Sequence, residues 1–170
     1  MRLFHVSENS NISCFEPRMP RRKEVGNTPL VWAINERCLP NYLTPRNCPR
    51  VAYHTNPQTT DSDIANFFTA ASRHCIIIEN DWFDRLSQAV LYVYEFNPKN
   101  FYLQDEIAGY YVSEQTEAPI NVHSIDDIFK ELIVKNIELR IVDNLHQIAQ
   151  KVQNSTLNWS LCVMRNAKPQ

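Results

Sequence analysis

Glycine is scarce in this chain, and the shortage limits which turns and loops it can form. Its 170 residues include only two glycines, Gly26 and Gly109, where average usage would give about twelve. Glycine-rich phosphate loops, dinucleotide-binding fingerprints and G-x-S-x-G nucleophile elbows each need two or more closely spaced glycines. All three are therefore excluded, and any nucleotide would be held by side chains and ordinary backbone.

The length and the composition favour one soluble globular domain over residues 1–170. The apolar fraction of 44% suffices for a core, and the net charge of −2 does not indicate nucleic-acid binding. The N-terminus lacks the apolar segment of a signal peptide, and no stretch approaches the ~20 apolar residues of a membrane span. The five cysteines form an odd set without a C-x-x-C pair, which is a poor disulfide or zinc framework. We expect a reduced, cytoplasmic protein without a membrane partner.

Hydrophobic periodicity predicts a mixture of short strands and helices. The predicted strands cover residues 2–6, 30–34, 50–54, 74–79, 89–96, 101–103, 109–113, 137–142 and 157–164. Helices are expected at residues 36–43, 60–71, from 80 or 81 onward, 124–136 and 143–153. Because strands and helices do not alternate regularly, we expect an α+β fold with a bent or split antiparallel-rich sheet and flanking helices.

Two of the predicted helices carry a specific inward face. The helix capped by Thr60 or Asp61 would run to about Ala71, with apolar residues at helical spacing: Ile64, Phe67, Phe68 and Ala71. The second would start from an approximate capping box at Ser124 and Asp127. Its inward residues would be Ile125, Ile128, Phe129, Leu132 and Ile133.

The first candidate ligand residues are His5 and Ser7. They share a strand face with Leu3, so a strand with Leu3 inward would turn both toward the interior or a cleft. The alternative is a hydrogen-bonded structural histidine. The irregular segment 7–29 that follows carries the basic residues Arg18, Arg21, Arg22 and Lys23, which could meet phosphates or form a solvated loop.

The segment Pro40–Arg50 contains three prolines and presents Tyr42, Arg46 and Arg50. A rigid loop with an aromatic ring and two guanidiniums suits a planar ligand that bears phosphates, although rigid connectors have similar composition. Cys48 lies between the two arginines, where positive charge would lower a thiol pKa, but no cysteine-enzyme signature is present.

Two further sets of residues are candidates for a metal site and for a ligand-stacking site. The spacings of Cys48, His54, His74 and Cys75 match no usual metal site, so no metal is expected. Tyr110 and its neighbour Tyr111 serve either in core packing or in ligand stacking.

Three segments together resemble a family of uncharacterised bacterial proteins. They are LFHVSE at residues 3–8, VWAINERCLPNYLTPRNCPRV at residues 31–51 and LNWSLCVMRNA at residues 157–167. This resemblance covers nearly the whole chain and implies no function, because the role of that family is unknown.

A second resemblance is to proteins of the ADP-ribosyltransferase fold. His5 and Ser7 match the histidine and hydroxyl of that superfamily's first motif, in which the histidine holds a ribose of NAD; Val6 replaces its usual glycine. Trp32 and Ala33 match the second motif, and Tyr42 falls at the distance of the tyrosine that stacks on nicotinamide. Val31 replaces the first tyrosine of that motif.

In the third motif of that fold, Gly109 stands where the superfamily has a catalytic glutamate. Glu106, Glu114 and Glu117 lie nearby in the sequence. Among these carboxylates we take Glu114 as the catalytic candidate.

The resemblance implies a domain that binds NAD or another ADP-ribose-containing nucleotide, with NAD as a substrate and no permanently bound cofactor. His5 and Ser7 would hold the ribose, and Arg46 or Arg50 would meet the phosphates. Tyr42 would stack on the nicotinamide or another flat ring, and Trp32 and Tyr110 are further candidate ligand-binding residues. A relative of the RNA 2′-phosphotransferases, or a non-enzymatic ligand-binding or interaction module, remains an alternative, and the oligomeric state is left open.

Overall fold

The structure is a computed structural model that describes residues 1–20, 27–69 and 71–170. Its packing divides the chain into two compact units, each built from two segments. The first unit comprises Met1–Tyr42 and Leu91–Ile125, and the second comprises Leu43–Val90 and Asp126–Gln170. The single domain expected over residues 1–170 stays a prediction.

The described residues form ten strands and four α-helices. The strands are β1 (Leu3–Ser7), β2 (Val31–Asn35), β3 (Arg50–His54), β4 (His74–Glu79), β5 (Leu91–Phe96), β6 (Tyr102–Asp105), β7 (Tyr110–Ser113), β8 (Pro119–Ile125), β9 (Glu138–Val142) and β10 (Asn158–Cys162). The helices are α1 (Asp61–Phe67), α2 (Phe83–Gln88), α3 (Ile128–Val134) and α4 (His146–Gln153). The expected α+β class and the antiparallel-rich sheet structure are confirmed.

The first unit contains a six-stranded sheet in the order β6–β7–β2–β1–β5–β8, and all neighbouring strands are antiparallel. One face carries a buried apolar cluster: Leu3, Val31, Ala33, Phe96 and Phe101. The segment after β1 lies over this face. Its Phe15 ring packs edge-on against Tyr94 and Phe96, with ring centroids 5.3 and 5.0 Å apart.

Backbone contacts hold that segment in place. Phe15 exchanges two backbone hydrogen bonds with Glu117, and Arg18 exchanges two with Leu30. The predicted irregular segment 7–29 is thus anchored at two points within its described part. The predictions for Arg21, Arg22, Lys23 and Gly26 lie outside the described residues.

The second unit contains a four-stranded sheet in the order β10–β3–β4–β9. The pairs β10–β3 and β3–β4 are antiparallel, whereas β4 and β9 are parallel. Buried aromatic and aliphatic side chains from this sheet, α1 and α4 form its main core, and burying this apolar surface is the principal stabilising contribution. Tyr53 is fully buried there, and its hydroxyl donates to the carbonyl of Phe67 at 2.8 Å.

Two predicted helix boundaries are wrong. Helix α1 ends at Phe67 rather than near Ala71, because Phe68 adopts an extended backbone and Tyr53 occupies the terminal carbonyl of the helix. As a result, Phe67 and Phe68 are buried as predicted, whereas Ala71 is exposed. The helix predicted over residues 36–43 is a short 3-10 turn, Leu39–Tyr42.

The predicted helix start at Ser124 is also wrong, because residues 119–125 form the unpredicted strand β8. Asp127 itself caps α3, and its carboxylate accepts from the backbone N–H of Lys130 at 2.9 Å. Within the seven-residue helix, Ile128 and Leu132 are buried, whereas Ile133 is 76% exposed.

Gly109 lies at the end of the turn between β6 and β7, in a left-handed conformation with φ of 68°. A Cβ at this position would lie 2.7 Å from both the Asn35 Oδ1 and the Cys38 Sγ. The carbonyl of Gly109 accepts from the N–H of Asn35 at 2.9 Å. The turn therefore packs directly on the end of β2, and glycine is needed for both its conformation and this close approach.

Candidate functional site

His5 is half-buried in β1 and contacts both backbone and an aromatic ring. Its Nδ1 lies 3.2 Å from the carbonyl oxygen of Trp32, and its ring centroid lies 4.8 Å from that of Phe15. Because a carbonyl oxygen only accepts, this hydrogen bond requires the proton on Nδ1. Burial lowers the pKa of His5; the Trp32 hydrogen bond opposes that effect, and the charge of Arg18 adds to it.

The lowered pKa of His5 predicts a pH-dependent contribution to stability. The unfolded ring has the ordinary pKa of about 6.5, so below that pH the unfolded chain takes up a proton that the folded chain does not. Stability is therefore fully present above this pH and falls as the pH drops through it toward the folded pKa. We expect urea unfolding to show a larger loss between about pH 7.5 and about pH 5 for the wild type than for His5→Gln. Equal losses would contradict the assignment.

The sheet register separates the predicted ligand residues of the first unit. Leu3 pairs with Asn35 and Phe4 pairs with Ile34, and directly paired residues share a face while successive residues alternate. His5 and Ser7 therefore share the face of Leu3, which we call the His5 face.

The opposite face carries Phe4, Ile34, Trp32 and Tyr110, and we call it the Trp32 face. Tyr110 belongs to it because it pairs with Ile34. The predicted residues thus divide between the two faces of one sheet.

An aromatic cluster occupies the Trp32 face at the junction of β2, β7 and the Leu39–Tyr42 turn. The rings of Trp32 and Tyr110 meet edge to face with centroids 5.4 Å apart. Tyr42 donates its hydroxyl proton to the Tyr110 hydroxyl. All three side chains are only half-buried. The structure thus brings together three of the predicted ligand-binding residues, Trp32, Tyr42 and Tyr110, whose role toward a ligand stays a prediction.

Glu114 lies on the same side of the sheet as this cluster. Its Oε1 accepts from the Tyr102 hydroxyl at 3.2 Å. Tyr102 and Trp32 both pair with Val112 from opposite sides, so Tyr102 belongs to the Trp32 face. Two strand spacings of about 4.8 Å put the Cα atoms of Tyr102 and Trp32 about 10 Å apart.

The Ser7 side chain makes a local hydrogen bond in the turn that follows β1. Its hydroxyl oxygen accepts from the backbone N–H of Asn9 at 3.1 Å, which is the local bonding common for serine at the end of a strand. Its predicted role toward a ribose stays a prediction, as does that of His5.

The two predicted phosphate ligands belong to the second unit. Arg46 is exposed, whereas Arg50 is buried and donates to the carbonyl of Cys48 at 3.0 Å. Burial raises the pKa of the Cys48 thiol to about 12 despite nearby Arg50 and Arg85. The expectation of a lowered thiol pKa is therefore wrong, since desolvation outweighs the two positive charges.

The cysteines and histidines considered as candidate metal ligands do not form one cluster. His54 and His74 are paired across β3 and β4, with ring centroids 5.1 Å apart. Cys75 follows His74 in the strand and so faces the other side of the sheet. Among the described residues, no group of three histidine, cysteine or acidic side chains could hold a metal ion.

Two residues that contact candidate ligand residues were not singled out in the sequence. Tyr102 donates a hydrogen bond to Glu114, and the Phe15 ring packs against the His5 ring. Neither belongs to a recognisable motif, and the only signal for Phe15 is that it is the one aromatic residue of the segment 7–29.

Comparison with known proteins places the chain in a family. The model of a family of unknown function, DUF6886, matches residues 4–167. The chain belongs to the DUF6886 family. This agrees with the expected family of uncharacterised proteins, and the DUF6886 description assigns no activity. No curated protein and no solved structure matches the chain, so the ADP-ribosyltransferase resemblance stays a hypothesis.

Membrane insertion through a helix finds no support in the part of the chain that the structure describes. None of the helices there is long and apolar enough to cross a bilayer. The absence of a membrane partner and the cytoplasmic location both stay predictions.

Proposed function

We propose that the Trp32 face of the first unit binds the flat ring of NAD or of another ADP-ribose-containing nucleotide. The observation that carries this proposal is the half-buried cluster of Trp32, Tyr42 and Tyr110 with Glu114 on the same face. Aromatic side chains bind nucleobases by stacking without any glycine-rich loop. The shortage of glycine is therefore compatible with this mode of binding.

The proposal uses only part of the set predicted from the sequence. His5 and Ser7 lie on the other face of the sheet, so one ligand ring on the Trp32 face would not reach their side chains directly. The hydrogen bond between Tyr42 and Tyr110 fixes the two rings relative to each other, and a preorganised ring pair loses less conformational freedom on binding.

Glu114 gives the site a group suited to transfer chemistry. In ADP-ribosyl transfer the bond between nicotinamide and ribose breaks, and nicotinamide leaves with the bonding electrons while an acceptor nucleophile attacks the ribose. A carboxylate near the ribose would stabilise the positive charge that develops there. The hydrogen bond from Tyr102 would hold the Glu114 carboxylate in position.

Binding can be measured through the fluorescence of Trp32. The double variant Trp82→Phe/Trp159→Phe leaves Trp32 as the sole tryptophan. We expect NAD or ADP-ribose to quench its emission saturably, and Tyr110→Leu to weaken binding about tenfold, since stacking on one ring contributes about 1–3 kcal/mol. The matched control is Tyr111→Leu, because Tyr111 packs against the core on the opposite face.

The outcomes separate the alternatives. Unaltered Trp32 emission with NAD, ADP-ribose and 2′-phosphorylated RNA ends would contradict nucleotide binding and favour an interaction module. Saturable binding without release of nicotinamide would assign a non-enzymatic binding domain. Release of nicotinamide that is lost in Glu114→Gln while binding persists would identify a transferase or NAD hydrolase.

A further inference from the structure

Strand β8 forms one edge of the six-stranded sheet and is the longest strand in the described residues. It pairs with β5 on one side, and no strand of the described residues pairs with its other side. Its five central residues, 120–124, are all exposed. The edge thus presents a row of backbone N–H and C=O groups to solvent over about seven residues, or about 23 Å.

Strand β8 begins with Pro119 and shifts register against β5 beside Ile120, but the rest of the strand carries none of the charges that protect an edge. Natural sheets usually guard exposed edges with charged side chains, bulges or short strands. The opposite edge strand, β6, has four residues, an acidic Asp105 and a shift of register between Leu103 and Asp105. In contrast, Pro119–Ile125 contains no acidic residue, lysine or arginine, and it exposes Ile120 and Val122 at 64% and 45%.

We propose that β8 pairs antiparallel with β8 of a second copy of this chain, with the two-fold axis at Val122. Val122 would then face the partner's Val122, so that two exposed apolar side chains cover each other. Asn121 would lie opposite the partner's His123, and an amide and an imidazole have complementary donors and acceptors. Ile120 would lie opposite the partner's Ser124. The two sheets would join into one continuous antiparallel sheet.

The absence of charge in β8 permits a second copy of the chain to pair at this edge. A two-fold axis places the central residue of a strand opposite its own symmetry mate, and like charges directly opposite are destabilising. The edge strand β9 of the second unit has Arg140 at its centre, so its self-pairing would oppose two guanidiniums. Strand β8 has the uncharged Val122 at that position. Charge therefore does not oppose the self-pairing of β8, whereas self-pairing of β9 would bring together two guanidiniums, each already paired with its own Glu138.

Sedimentation equilibrium tests the proposal on the full chain. A contact confined to one strand is small, so we expect a concentration-dependent monomer–dimer equilibrium rather than an obligate dimer. Val122→Lys, which places two ammonium groups at the axis, should leave only monomer. Ile133→Lys is the matched control, because Ile133 is also an exposed apolar residue but lies in α3. A chain that is monomeric at every concentration, or a dimer that survives Val122→Lys, overturns the proposal.

Disulfide trapping tests the register independently. In a Cys14→Ser background, which removes the exposed cysteine, Val122→Cys should cross-link when oxidised with diamide. Opposed residues have Cα atoms about 4.5–5.5 Å apart, within disulfide range. Ile120→Cys should not, because the two copies of residue 120 would be offset by four residues, or about 13 Å. Equal cross-linking of the two variants would refute the axis at Val122.

Discussion

Replacing Gly109 with alanine should lower the free energy of unfolding by about 3 kcal/mol. The left-handed backbone costs an alanine about 1–2 kcal/mol, and the steric overlap of its Cβ costs about 1–3 kcal/mol. The overlap is with Asn35 and Cys38, at 2.7 Å. Neither side chain is free to move. The Asn35 Oδ1 accepts from the Cys38 N–H at 2.9 Å, and Cys38 is fully buried. Chemical denaturation of the wild type and the variant measures the difference.

A double-mutant cycle separates the two causes of this loss. In a Cys38→Ala background the Sγ is absent, so Gly109→Ala should be less costly there than in the wild type. The contribution of the backbone conformation should persist in both backgrounds. A loss of only about 1 kcal/mol in the wild type, as expected for a left-handed alanine alone, would show that the overlap is relieved.

This position also bears on the proposed chemistry. Gly109 stands where the resemblance would have a catalytic glutamate, and the structure leaves no space there for a Cβ. Gly109→Glu should therefore destabilise the first unit rather than supply an acid. Any catalytic carboxylate would have to come from elsewhere on the Trp32 face, which is why Glu114 is the candidate.

Glu79→Ala should also cost about 3 kcal/mol, because it removes a buried carboxylate that accepts several backbone hydrogen bonds worth about 1.5–3 kcal/mol each when charged. Glu79 is 1% exposed at the end of β4. It accepts from the N–H of Leu145 at 3.3 Å and from the N–H of Lys168 at 3.0 and 3.1 Å. Its removal leaves the Leu145 and Lys168 donors without these acceptors.

The isosteric variant provides the control for Glu79. Glu79→Gln keeps one acceptor oxygen in the same shape, so its loss of stability should be about half that of alanine. Hydrogen exchange gives a local readout, and the amides of Leu145 and Lys168 should lose protection in Glu79→Ala. If both amides stay protected and stability is unchanged, the carboxylate does not hold the C-terminal segment.

Two buried strands were predictable from the sequence with their bounds. The alternation in RVAYH predicted β3, and the apolar run in HCIIIE predicted β4; both strands are entirely buried. The segment Pro119–Ile125 was missed because only Ile125 in it is buried. The strand forms through backbone pairing with β5, and side-chain periodicity gives no indication of such pairing. The capping signal at Ser124 and Asp127 favoured a helix instead.

Residue type was sufficient to name the candidate ligand residues, but the sequence did not predict which of them lie on the same face of the sheet. Trp32, Tyr42 and Tyr110 were each named as ligand residues, and the structure places them in one cluster although they are separated by up to 78 positions in the sequence. His5 was expected in the same cleft as Tyr42. Whether two strand residues share a face depends on register, and a shift by one residue would reverse the outcome. No local pattern in β1 or β2 specifies that register.

The interleaving of the two units along the chain has a consequence for biosynthesis. Strand β1 pairs with β5, so Leu3 meets Phe96, and the second unit needs residues on both sides of the segment Leu91–Ile125. At about 5–20 residues per second, a ribosome would make β1 several seconds before its partner. During that interval the central strand β1 lacks one of its two neighbouring strands. The nascent chain must avoid aggregation until β5 has been made. Because each unit is built from two separate segments, no single truncation removes one unit and leaves the other whole.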